Sequence, residues 1–140
     1  MIQTDGGTLN RTRVRLSGFV LCLAVSAGSA QAGVTEDSFL VRNTSDLIDL
    51  CSAAQCDTMY SQAVNFCHGF TVGVFHVLQE EDIAERTYHL FCLPNPAPTR
   101  NEGIANFVTW AKADTSRMSQ PPADGITVFL SQQYPCPRGR

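Results

Sequence analysis

The chain has 140 residues, a net charge of −3 at pH 7 and 44% hydrophobic residues. That composition can build a core and excludes a disordered chain. An excess of acid argues against nucleic acid or an anionic membrane as partner and suits a basic protein partner.

The first residues read as a targeting segment. Arg11, Arg13 and Arg15 precede a mostly apolar run from Leu16 to Ala27, and Ala30-Gln31-Ala32 has the form of a cleavage site. The apolar run is shorter than the ~20 residues of a spanning helix. The expectation is a signal peptide over 1–32, which removes Cys22, and a mature periplasmic domain over 33–140 with no membrane span. Three of the ten Lys and Arg and one of the thirteen acids would leave with the signal, so seven bases would face twelve acids, a net charge of −5.

Asn43-Thr44-Ser45-Asp46 is rich in N-cap residues, and Leu47, Ile48, Leu50 and Cys51 follow as a short amphipathic first helix. Cys56-Asp57-Thr58 breaks it. A second helix is predicted from Met59 to about Gln79. The acidic Glu80-Glu81-Asp82 reads as a solvated turn, with a helical continuation to Arg86 as the alternative. Pro94, Pro96 and Pro98 make a stiff connector. Thr99-Arg100-Asn101-Glu102 has the spacing of a capping box and opens a third helix, with Ile104, Phe107, Val108 and Ala111 on one stripe and Trp110 at its margin. Asp114–Pro122 is a polar loop. Pro121 and Pro122 suit the start of a fourth helix, which carries Ile126, Val128, Phe129, Leu130 and Tyr134 before Pro135 ends it. The β-rich Ile126–Phe129 leaves a strand open there. The sum is an all-α fold, a small four-helix bundle.

The second helix is the densest stretch. Val64, Cys67, Thr71, Phe75 and Leu78 recur at helical spacing, and Phe66, Phe70, Val74 and Val77 form a second row, so the helix is predicted to be buried among the others. Gly69 and Gly73 lie one turn apart. Each costs about 1 kcal/mol relative to Ala in a helix interior, which points to close approach of another helix along that stripe. Packing within the chain is favoured over a dimer seam.

Five cysteines remain after export to an oxidising compartment, so disulfides are expected. If the third and fourth helices form an antiparallel hairpin, Cys92 before one lies beside Cys136 after the other. An antiparallel first hairpin likewise brings Cys51 to Cys67. Cys56 is then the odd thiol, free or bonded to another chain, and Cys56–Cys67 or Cys51–Cys56 are the competing bonds. The cysteine spacings do not fit a zinc site, and no metal or other cofactor is expected. His68, His76 and His89 form no recognisable catalytic pattern, and hydrolase and phosphate-loop motifs are missing. The expectation is a binding module and not an enzyme.

Four short pieces then stand in a familiar order: Asp46-Leu47-Ile48-Asp49-Leu50-Cys51, Phe66-Cys67-His68-Gly69-Phe70-Thr71-Val72-Gly73, Phe91-Cys92-Leu93-Pro94 and Tyr134-Pro135-Cys136. Together they resemble the Rap/Tai immunity proteins of type VI secretion systems. The resemblance implies a periplasmic helical fold related to the HdeA acid chaperone, acting as a homodimer that inhibits a peptidoglycan amidase effector. An HdeA-like acid-stress chaperone or another periplasmic binding module is the alternative. Cys56 is additional to the family pattern, and Phe75-His76 stands where many members carry an acid. Asp114–Pro122 corresponds to a family loop, and Asp114, Arg117, Met118 and Gln120 are its candidate partner-binding residues, with Arg117 and Met118 expected to be exposed.

Overall fold

The computed structural model describes residues 33–84 and 89–137, so the expected signal peptide lies outside the described residues. Four α-helices and no strand occur among them: α1 (Thr44–Cys51), α2 (Tyr60–Ala84), α3 (Arg100–Lys112) and α4 (Pro122–Gln133). Short 3-10 turns cover Glu36–Leu40 and Thr115–Arg117. The fold is all-α, and the β-rich Ile126–Phe129 is helical.

Local chemistry accounts for most helix starts. Asn43 caps α1, its side chain accepting from the Asp46 N–H at 3.0 Å. At α3 the capping box is complete: Thr99 Oγ1 accepts from the Glu102 N–H, and the Glu102 carboxylate accepts from the Thr99 N–H at 2.8 Å. A hydrogen bond from the Thr99 hydroxyl, and then the one from the Thr99 N–H, hold the Glu102 carboxyl below its usual range. Pro122 opens α4, where a missing N–H costs nothing. Asp57 precedes α2. One carboxylate oxygen accepts from the Met59 N–H and the other from the Val34 N–H, tying residues 33–34 to that corner.

The main core gathers Leu47 and Ile48 of α1, Phe107 and Ala111 of α3, Ile126, Phe129 and Leu130 of α4, and Phe91. A smaller cluster holds Leu50, Ala63 and Cys67. Helix α2 lies against both but is not enclosed. Of its residues, Ala63, Cys67 and Thr71 are buried, while Phe66 and Val77 of the second row are exposed. The sequence reading overstated this burial, because three short helices cannot surround a helix of 25 residues. The acidic triplet also differs from expectation. Helix α2 runs through Glu80-Glu81-Asp82 to Ala84, a run containing neither Gly nor Pro to stop it. Asp82 then accepts hydrogen bonds from the Leu90 N–H and from His89 Nδ1, which returns the chain to the helix end.

Two disulfides staple this arrangement. Cys51 bonds Cys67, joining α1 to α2, and Cys92 bonds Cys136, joining the approach to α3 to the exit of α4. The Cys92 N–H also donates to the Tyr134 carbonyl at 2.8 Å. Cys56 is disulfide-bonded as well, so no described cysteine is free. The Cys56 thiol, expected to be the odd one, is therefore not free.

Asp49 sits half-buried on α1. Burial, and then the neighbouring Asp46, raise its pKa, and Lys112 opposes them. The raised value means that the fold prefers the protonated acid, so the ionised carboxylate destabilises it at neutral pH. Asp49→Asn is expected to raise the melting temperature at pH 7. The gain should disappear as pH falls through the carboxylate range, where Asp49 protonates in both states. Thermal melts at neutral and acidic pH check this.

Candidate binding surfaces

The segment between α3 and α4 is held from both sides. Asp114 Oδ1 accepts from the Ser116 N–H at 2.9 Å and the Ser116 hydroxyl at 2.8 Å. Those bonds, with Arg117 nearby, keep the Asp114 carboxyl below its usual range and ionised. The Arg117 guanidinium lies 4.2 Å from the centre of the Trp110 ring and also donates to the Trp110 carbonyl. Arg117 and Met118 are therefore half-buried internal contacts and not the exposed side chains expected from the sequence. Met118 packs on the main core. Gln120 is half-buried, and its side-chain Oε1 is shielded from solvent without a hydrogen-bond partner among the described residues. Asp114, Thr115, Ser116 and Ser119 face outward.

The far end of the segment completes the start of α1. A helix leaves its first N–H groups without internal partners. The Thr44 N–H donates to the Gln120 carbonyl at 2.8 Å, and the Ser45 N–H donates to the Met118 carbonyl at 3.0 Å. The Thr44 hydroxyl adds a 3.0 Å bond to the same Gln120 carbonyl. The segment is thus a rigid projection anchored to two helices, with a polar outer edge.

Glycine contacts separate two kinds of surface. A methyl group built on Gly125 would come within 2.6 Å of Thr44 Oγ1. Gly125 therefore gives close approach between α4 and α1. At Gly69 or Gly73 the same methyl group would meet no neighbouring helix or side chain within 4 Å. The expected packing of that stripe inside the chain is not found. Instead Gly69, Gly73 and Val77 line a shallow open depression with Ala123 and Thr127 of α4. One kind of substitution should therefore act with opposite signs. Gly69→Ala/Gly73→Ala is expected to stabilise the monomer by ~1–2 kcal/mol through helix propensity. Gly125→Ala should destabilise by about 1–3 kcal/mol, because forced displacement of the Thr44 hydroxyl outweighs that gain. Urea unfolding of both variants at low protein concentration checks the pair of signs.

A second groove, about 390 Å³, opens between α2, α3, α4 and the proline connector. Its walls are mainly apolar, and Arg100, His76 and Gln79 are its conspicuous polar residues. The histidines do not converge. His68 is half-buried on α2, His76 is exposed two turns further on, and His89 pairs with Asp82. Among the described residues no cluster of His, Cys, Asp and Glu could hold a metal ion, and no helix is long and apolar enough to cross a membrane.

A family model of Rap1a immunity proteins matches residues 43–136. The chain belongs to that family. Neither a curated protein nor a solved structure matches the chain. The Rap1a match begins at Asn43, the cap of α1, and ends at Cys136, so it spans all four helices and the Cys51–Cys67 and Cys92–Cys136 bonds. The shared unit is therefore the stapled bundle. Membership in a Rap1a immunity family implies action on a protein partner. The features that could face such a partner are the rigid α3–α4 projection, the outer side of α2 and the apolar groove.

Proposed function

We propose that residues 1–32 are a signal peptide and that the mature domain, 33–140, binds and inhibits a peptidoglycan amidase effector of a type VI secretion system in the periplasm. The family match carries this reading, and the stapled bundle is consistent with it. Inhibition by occlusion needs a rigid complementary surface and no chemistry from the inhibitor. The contact surface is the outer edge of the α3–α4 projection, Asp114, Thr115, Ser116 and Ser119. Arg117, Met118 and Gln120 act beneath it by fixing its shape. Asp114, kept ionised, supplies a charge for a basic partner. The domain acts as a homodimer whose seam is the outer side of α2, where Phe66, Gly73 and Val77 lie exposed.

The test is titration of purified mature protein against type VI amidases digesting purified peptidoglycan. The expected result is stoichiometric inhibition of one of them. Thr115→Trp should abolish it without a change in melting temperature, because that side chain is exposed. Full digestion by every amidase at excess inhibitor would overturn the reading. Sedimentation analysis of Gly73→Arg tests the seam, with conversion of dimer to monomer expected.

A further inference from the structure

The groove between α2, α3 and α4 has a definite chemistry. Its walls are the half-buried Phe75, Leu93, Ile104 and Tyr134, and the buried core rings Phe107 and Phe129 lie at its floor. Its volume, about 390 Å³, falls in the size range of small-ligand sites, which are mostly apolar with a few polar groups that fix orientation. No carboxylate lines it among the described residues, although acids outnumber bases in the chain. Its only permanent cation is Arg100, which is exposed and makes no ion pair among the described residues.

We propose that this groove binds an apolar carboxylate, a single acyl chain whose tail lies along Phe75, Leu93, Ile104 and Tyr134 and whose head pairs with Arg100. A peptide fits less well. Its backbone would carry N–H and C=O groups into a lining with few partners for them, and burying such groups unbonded is costly. The Thr71 hydroxyl is already committed to the Cys67 carbonyl at 2.8 Å. A cationic amphiphile would meet Arg100 as a like charge. Gly103 supplies the remaining room. It lines the groove from within α3, and a methyl group built there would meet nothing within 4 Å. A side chain at that position would fill the site without forcing the backbone.

The experiment is calorimetric titration of the mature protein with decanoate, with decyltrimethylammonium as the cationic counterpart. Saturable one-to-one binding of decanoate is expected, with the cation at least about fivefold weaker. Arg100→Gln should weaken decanoate binding about fivefold. Gly103→Leu should abolish it while the unfolding midpoint stays or rises, since Leu favours helix over Gly. Ile104→Trp is a second groove-filling variant should the first not fold. Absence of saturable decanoate binding, equal binding of the cation, or undiminished binding by a folded groove-filled variant would overturn the proposal. No amidase enters the measurement, so its outcome is independent of the immunity reading.

Discussion

Cys92→Ala/Cys136→Ala is expected to lower stability by about 4 kcal/mol, from the chain-entropy relation for the loop this bond closes. The bond spans 44 residues and encloses all of α3 and α4. Without it the unfolded chain regains that freedom, while the native state keeps the Cys92 N–H bond to Tyr134 and the packing of Phe91 and Tyr134 in the core at the same junction. Small domains are stable by about 5–15 kcal/mol, so the variant should lose between about a quarter and about four-fifths of the original margin. The shorter Cys51–Cys67 loop, 16 residues, predicts about 3 kcal/mol on the same relation. Urea unfolding of the variant with the Cys51–Cys67 bond intact is the measurement. An unchanged midpoint would mean that the Leu90–Leu93 strap and the α4 exit hold together without covalent help. The site should respond too. Leu93 and Tyr134, which flank the two cysteines in sequence, both line the apolar groove.

What was legible in the sequence was local. The α3 start could be read because a capping box lies within four consecutive residues, and α4 because Pro121-Pro122 and Pro135 bracket it. The pairings of Cys51 with Cys67 and Cys92 with Cys136 followed from hairpin geometry, since each joins ends that an antiparallel pair brings together. The projection between α3 and α4 could not be read in the same way. Arg117 and Met118 look like polar-loop residues until Trp110 is placed under the guanidinium and the α1 start, far upstream, is placed against the Met118 and Gln120 carbonyls. The glycines show the same limit. Gly69 and Gly73 have the spacing of a packing stripe yet face open space, whereas Gly125, unremarked in the sequence, is the one pressed against Thr44. Spacing within a helix defines a stripe; only the tertiary arrangement decides what covers it. The groove escaped for that reason also, because its walls come from three helices and a connector.

Phe129→Ala is expected to destabilise the fold by about 3–5 kcal/mol. The ring is 3% exposed. It meets Phe107 edge-on at 5.5 Å, Trp110 at 5.8 Å and Tyr134 edge-on at 6.1 Å. Truncation therefore forfeits the transfer energy of a buried phenyl and three aromatic contacts at once, each worth about 0.5–1.5 kcal/mol. Phe66→Ala provides the control within the same protein. Phe66 also has two ring neighbours, Phe39 at 5.6 Å and Phe70 at 6.3 Å, but it is 36% exposed on the outer side of α2. Its removal leaves no closed cavity and should cost about 1 kcal/mol. Denaturant unfolding of both variants with disulfides intact measures the difference. Comparable losses would contradict the placement of Phe129 at the centre of the α3–α4 packing and of Phe66 at the edge of α2. A large loss at Phe129 should be accompanied by weakened decanoate binding even where the variant remains folded, because the same ring is both core and groove floor. Stability and ligand binding are thus coupled at this position, whereas Gly103→Leu should separate them, abolishing binding while the bundle stays intact.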